Sequence, residues 1–294
     1  MNPASVAGVP LTFAHAAALT PLLAARIRGM GERAPADLSF SNLWLFRRVH
    51  DYRVLEGQWP AIAGRSYDGG DYLIPLFALA SAPRPQLRDL LDGYDGFFPV
   101  TERDAAALDP QHFVIESRRD DADYLYDADN FRHYRGARLN KKRNLMRQCQ
   151  TSHRLRHEVY TPALAGTALQ VLSGWLADKR LPDGAADDLP CREALAATPD
   201  LGLLGFLTWA DDQPGGFILA EKLQPGVFVI RFAKSRACFK GISQVMFNHF
   251  VTHGPPAIRW LNFEQDLGLP NFRRTKQSYQ PQALLPKMRV RLRD

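Results

Sequence analysis

Residues 201–263 read LGLLGFLTWADDQPGGFILAEKLQPGVFVIRFAKSRACFKGISQVMFNHFVTHGPPAIRWLNF. Three apolar runs, LGLLGFLTWA, GGFILAEKL and GVFVIRFAK, are separated by Asp-Asp-Gln-Pro-Gly and Gln-Pro-Gly. Proline presets the backbone of a turn and glycine supplies positive φ, so the runs predict strands joined by tight turns. FKGISQVMFNHFV then predicts a helix over residues 242–253, and a further strand is expected over 258–263. Antiparallel strands, a helix and a strand make an α+β order. A last strand is expected over residues 288–292.

The segment after this block, WLNFEQDLGLPNFRRTKQSYQP (residues 260–281), follows a core strand with two carboxylates, a Gly-Leu-Pro turn and a basic cluster. Glu264 and Asp266 are two apart, so an extended backbone points both to one side. Either could accept a proton or hold an ammonium group. Arg273, Arg274 and Lys276 are candidates to sit beside substrate phosphates or the developing oxyanion; equally, both carboxylates could pair with them in a structural ion network. Tyr279 closes the segment as a candidate proton donor.

In the first half, residues 11–27 read as a packed first helix. His15, Thr20 and Pro21 interrupt the apolar run and no basic segment precedes it, so neither a secretory signal nor a membrane span is expected. Asp68-Gly69-Gly70-Asp71 between apolar runs predicts a hairpin. FFPV and HFVIES predict strands around a charged, helix-like stretch over 102–108. Five aspartates between 120 and 129 lead into FRHYRGARLNKKRNLMRQCQTSHRLRH, which has many cations and no carboxylate. Arg132, Arg135, Arg138 and Lys142 recur at spacings of three and four and would line one helix face. Lys141, Lys142 and Arg143 are the phosphate-contact candidates here; a solvated helix face is the competing reading. The stretch is the expected junction between domains 1–150 and 151–294, each with its own mixed sheet.

Composition bounds the class. The 294 residues carry 37 Lys and Arg against 31 Asp and Glu, a formal charge of +6, which leans toward an anionic partner. Hydrophobic residues make up 46%, enough for a substantial core. Cys149, Cys191 and Cys238 have no metal-ligand or paired spacing, so neither a zinc site nor a disulfide framework is expected, and a cytoplasmic location is. Catalytic-triad, dinucleotide and Walker patterns are absent.

The strand–helix order with FKGISQVMFNHFV resembles the GNAT acetyltransferase superfamily, in which a turn of the form Gln/Arg-x-x-Gly-x-Gly/Ala grips the coenzyme A pyrophosphate at a helix N-terminus. Lys240 and Gly241 are the phosphate-binding candidates at that turn; Gly241 fits, while Cys238 and Ser243 depart at both ends. SFSNLWLFRR, GRSYDGGDYLIPLF, YLYDADNFRHYRGARLNKKRNLMRQ and NFEQDLGLPNFRRTKQSYQP together resemble the family related to the C-terminal domain of phosphatidylglycerol lysyltransferase. That resemblance implies two tandem GNAT-like domains, each a mixed, mostly antiparallel sheet flanked by helices, as in Fem-type aminoacyltransferases. It implies transfer of an aminoacyl group from tRNA to an amine or hydroxyl, with aminoacyl-tRNA and a small-molecule or peptide acceptor as partners. The long membrane domain of the lipid-modifying enzymes is not in the sequence, so a soluble acceptor is expected. No DNA partner is expected. An aminoacyl ester is already activated, so neither a metal nor another cofactor is expected. An acyl-coenzyme A-dependent N-acyltransferase and a catalytically degenerate binding module are the alternatives.

Overall fold

The computed structural model describes residues 8–293; the first seven residues, part of the stretch searched for a targeting signal, lie outside them. Contacts divide the chain into two units. One comprises the residues up to Asp123, Gln265–Gly268 and the segment from Leu285; the other comprises Tyr124–Glu264 and Leu269–Leu284.

The first unit holds strands β1 (Val9–Pro10), β2 (Arg53–Leu55), β3 (Ala61–Arg65), β4 (Asp71–Pro75), β5 (Gly96–Val100) and β6 (Phe113–Ser117). Its helices are α1 (Ala16–Ile27), α2 (Phe40–Phe46), α3 (Arg84–Leu90) and α4 (Glu102–Ala105). The predicted first helix forms as α1 and buries Leu19, Leu23 and Ile27. The DGGD hairpin joins β3 to β4, with Arg65 opposite Asp71.

The second unit holds β7 (Asp123–Asp127), β8 (Leu155–Val159), β9 (Leu203–Ala210), β10 (Gln213–Gln224), β11 (Val227–Ser235), β12 (Trp260–Asn262) and β13 (Ala283–Leu285). Its helices are α5 (Asp129–His133), α6 (Asn140–Ser152), α7 (Ala165–Lys179), α8 (Asp188–Ala196), α9 (Ile242–His253) and α10 (Pro270–Gln277). The sheet order is β13-β7-β12-β11-β10-β9-β8. The pairings β8–β9, β9–β10, β10–β11 and β7–β12 are antiparallel, while β11–β12 is parallel. A parallel neighbour needs a crossover, and α9 supplies it. Aromatic and aliphatic side chains of β7, α5, β11 and α9, among them Tyr126, Phe131, Phe228 and Phe250, form this unit's core.

A final strand, β14 (Met288–Leu292), inserts between β5 and β6, so the first sheet runs β1-β2-β3-β4-β5-β14-β6. The expected pair of mixed, mostly antiparallel sheets flanked by helices is therefore the fold, but the boundaries differ from 1–150 and 151–294. The second unit begins at Tyr124 and the end of the chain returns to the first. The reason is β7: its run Tyr124, Leu125 and Tyr126 is fully buried and pairs with β12, so the stretch read as an acidic lead-in is a core strand.

Candidate active site in the second unit

The site grows from one charge buried inside an apolar strand. Along β11, Leu219 of β10 faces Phe232 and Ala220 faces Ile230, which leaves Arg231 as the extra residue of a β-bulge. A bulge re-aims the side chain it carries. Here it turns Arg231 between two carboxylates: Nε and Nη2 donate to one Glu221 oxygen at 2.9 and 2.7 Å, and Nη1 donates to Glu264. The Arg231 side chain is wholly buried, and the Glu264 side chain keeps 22% exposure. Burial alone would lower the Arg231 pKa, but Glu221 and Glu264 outweigh it and hold it above the ordinary value.

β12 ends at Asn262, whereas β11 continues to Ser235 beyond the last parallel pair, Val229 with Asn262. The chain leaves the sheet through left-handed backbone at Glu264 and Leu267. Buried Asn262 supports this turn, its Oδ1 accepting from the Glu264 N–H at 2.7 Å. The extended backbone expected to carry Glu264 and Asp266 on one side is therefore not present. Glu264 pairs with Arg231 in the second unit. Asp266, fully buried, belongs to the first unit, accepting from Arg119 at 2.9 Å and from the Gly268 N–H at 3.0 Å.

The basic cluster forms α10, with Pro270 at its start, where a missing N–H costs nothing. From its last turn Lys276 reaches back to the strand end, donating to the Phe263 carbonyl at 2.6 Å and the Glu264 carbonyl at 3.2 Å. Arg274 is exposed and Arg273 half-buried on the same helix. Tyr279 is buried, its ring stacked on Phe131 at 5.2 Å and its hydroxyl accepting from Gln244 at 2.7 Å. Burial raises its pKa. The ammonium of Lys142, from α6, sits 3.9 Å from the centre of the Tyr279 ring, a cation–π contact. Burial and the neighbouring Lys141 push the Lys142 pKa down to about 8. Glu264, Lys276, Tyr279 and Lys142 are thus gathered within one unit.

The other candidates are placed elsewhere. Arg143 is committed to the fold, donating to the Tyr134 carbonyl at 2.8 Å and to Asn140 at 2.7 Å. Lys141 and Lys240 are exposed. Gly241 caps α9 with φ +93°, and a side chain there would overlap the backbone carbonyl of Leu145 in α6. The turn that would cradle a pyrophosphate is packed against a neighbouring helix. Arg135, Arg138, Lys141 and Arg147 are all exposed, and among the described residues none pairs with a carboxylate.

Sequence reasoning missed Arg231 and Glu221. The signal was available: a lone arginine inside GVFVIRFAK and a lone glutamate inside GGFILAEKL are charges in buried strands, and buried charges need partners. Among the described residues, no group of three or more His, Cys, Asp or Glu side chains has the arrangement to hold a metal ion. No helix among them is long and apolar enough to cross a membrane.

The sequence profile of the family described as phosphatidylglycerol lysyltransferase, C-terminal, matches residues 28–291. No curated protein matches the chain. Among solved structures, a protein of unknown function from Bacteroides thetaiotaomicron VPI-5482 is similar with a TM-score of 0.79 and 21% identity, over 97% of this chain and 98% of that one. The C-terminal domain of a protein named as a lysylphosphatidylglycerol synthetase from Agrobacterium fabrum is similar with a TM-score of 0.62 and 14% identity, over 96% and 92%. FemX is similar with a TM-score of 0.55 and 8% identity, over 95% and 94%. At these identities the likeness shows the fold alone, two mixed, mostly antiparallel sheets flanked by helices.

Proposed function

The chain belongs to the family of phosphatidylglycerol lysyltransferase C-terminal domains, and from that membership we propose that it is a tRNA-dependent aminoacyltransferase acting on an amine or hydroxyl acceptor. The observation that carries the tRNA part is the set of four cations Arg135, Arg138, Lys141 and Arg147, exposed and without a carboxylate partner among the described residues, although the chain breaks between α5 and α6 and the single helix face expected from their spacing does not form. Clustered cations with no carboxylate beside them leave an open positive field, which suits a phosphate backbone.

In the proposed step the acceptor's lone pair attacks the ester carbonyl carbon of the aminoacyl group. A new C–N or C–O bond forms, the bond to the ribose oxygen breaks, and the acceptor's proton ends on that oxygen. Glu264, anchored by Arg231 and reaching solvent, receives the α-ammonium of the aminoacyl group. Lys142, with a pKa near 8, exchanges a proton at neutral pH far more readily than an ordinary lysine. Tyr279 holds Lys142 in place through its ring. Lys276 fixes the strand end that presents Glu264.

The test is transfer of a labelled amino acid from aminoacyl-tRNA, with phosphatidylglycerol vesicles in one arm and soluble amines in the other. Transfer is expected in one of them, and Glu264→Gln should lower its rate by about 100-fold. Replacing Arg135, Arg138, Lys141 and Arg147 by Ala should flatten the salt dependence of tRNA binding by roughly 0.7–0.9 log units per lost phosphate contact. An unchanged salt slope, or acyl transfer from coenzyme A thioesters in place of aminoacyl-tRNA, would overturn the reading.

A further inference from the structure

A second cluster of titratable side chains lies in the same unit and takes no part in the site above. β8 carries His157, and α9 carries His249 and His253 four residues apart, one above the other on the helix face. The rings of His157 and His249 lie 3.8 Å apart at 12°, and those of His249 and His253 lie 4.5 Å apart at 20°. The edge of Phe206 supports His249 at 4.7 Å. The stack lines a pocket of about 470 Å³ together with Gln150, His153, Leu155, Val245 and Asn248.

Three stacked imidazoles would repel one another if charged. Burial, then the neighbouring histidines, push His249 down to about 3, and burial, then His253, push His157 down to about 4. At neutral pH both rings are uncharged; His249 is covered by its two neighbours, so the column offers its flat aromatic faces at its ends, His157 and His253. Each neutral ring also has one nitrogen that donates and one that accepts. His157 uses Nδ1 on the Thr208 hydroxyl at 3.0 Å, and His153 is tied to Asp211. His249, His253 and Gln150 make no side-chain hydrogen bond among the described residues. Asn248 spends its N–H groups on the Phe131 and Arg132 carbonyls, which leaves its Oδ1 to accept. The pocket therefore combines an aromatic wall with unspent donors and acceptors at its edge. Exposed Arg147 lies three residues before Gln150, on the same face of α6.

We propose that this pocket binds a nucleobase, stacked on the His253–His249–His157 column and held at its edge by Gln150 and Asn248, with Arg147 meeting the attached phosphate. Planar heterocycles with mixed donors and acceptors are recognised by stacking on aromatic rings together with hydrogen bonds to their edges. The base comes either from a free nucleotide or from an unpaired position of an RNA. The assignment stands apart from aminoacyl transfer, because its readout needs no transfer.

The experiment is a ¹H NMR titration of the full chain, following the Cε1–H signals of His249 and His253. The probes are adenosine 5′-monophosphate, cytidine 5′-monophosphate, ribose 5-phosphate and a single-stranded oligoribonucleotide. Saturable upfield shifts with a nucleotide, absent with ribose 5-phosphate, are expected. His253→Ala, at an exposed position that the fold tolerates, should weaken nucleotide binding about tenfold, the loss of a stacking partner. The same shifts at lower oligoribonucleotide concentration would support RNA as the source; shifts with mononucleotides alone would support a free nucleotide. Signals unmoved at millimolar nucleotide, moved equally by ribose 5-phosphate, or moved only by Zn²⁺ would overturn the proposal.

Discussion

At the scale of single residues, this protein places charges where burial makes their partners obligatory. Arg231 between Glu221 and Glu264 is the clearest case. Removing the guanidinium strands two carboxylates, so Arg231→Met should cost about 3–5 kcal/mol, read as a lowered urea midpoint. A midpoint unchanged from the parent would show that the pair of ion contacts contributes little. Lys142 is the opposite case: half-buried, resting on an aromatic ring, with no carboxylate partner among the described residues. Its pKa is lowered in the folded state, so the unfolded chain binds the extra proton between about 8 and the ordinary 10.5. Stability from this group therefore rises with pH across that window and is lowest below it. Amine-directed labelling followed by mass spectrometry should modify Lys142 with a midpoint near pH 8. A midpoint at the ordinary lysine value of about 10.4 would contradict the burial argument.

At the scale of elements, the contact between α6 and the start of α9 decides what the GNAT-like turn does here. Gly241 needs left-handed backbone and has the Leu145 carbonyl where a side chain would lie. Gly241→Ala therefore suffers both strain and overlap, and should lose at least about 2 kcal/mol in thermal or urea unfolding. A helix pressed onto this turn leaves little room for a pyrophosphate, so calorimetry should find no acetyl-coenzyme A binding at micromolar concentrations. Tight binding would show that α6 moves aside and would favour coenzyme A chemistry. The cations of α6 differ in what they touch. Arg143 holds Tyr134 and Lys142 rests on Tyr279, while Lys141 and Arg147 are exposed. A variant limited to the exposed positions is thus the cleaner probe of phosphate binding than one that includes Arg143.

At the scale of the whole molecule, the chain passes between its units at Asp123, Glu264, Gly268 and Leu284. The last passage brings β14 into the first unit's sheet, between β5 and the edge strand β6. It also brings Lys287, fully buried against Asp37 and, at 2.7 Å, Asp123. Arg289 follows, bound to Asp121 at 2.7 Å and Asp68 at 2.8 Å. Burial alone would lower the Lys287 pKa, but Asp123 and Asp37 raise it above its ordinary 10.5. Its contribution is fully present below that value and is lost only as pH rises through the higher folded-state pKa. Lys287→Met should therefore destabilise by about 3–5 kcal/mol at neutral pH. A fragment ending at residue 150 lacks β14 and should show no cooperative unfolding transition. A cooperative transition in that fragment would support the division expected from the sequence.

Local sequence by itself determined most of the elements. The hairpin at Asp68–Asp71, the helix over 242–253 and the β-rich run from Leu203 to Ser235 follow from turn residues and hydrophobic period, which act between near neighbours. The four quoted sequence blocks also carried the family. Three things were decided only in three dimensions. The acidic stretch before Asp129 became β7, because its tyrosines and leucine are buried against strands more than a hundred residues away. Glu264 and Asp266 parted, because the strand ends at Asn262 and a left-handed turn sends each carboxylate to a different arginine. The second unit began at Tyr124, because β12 found β7 and β14 found β5 and β6. Pairing across such separations depends on which buried surfaces and charges complement one another once the chain has closed, and no local pattern encodes that choice.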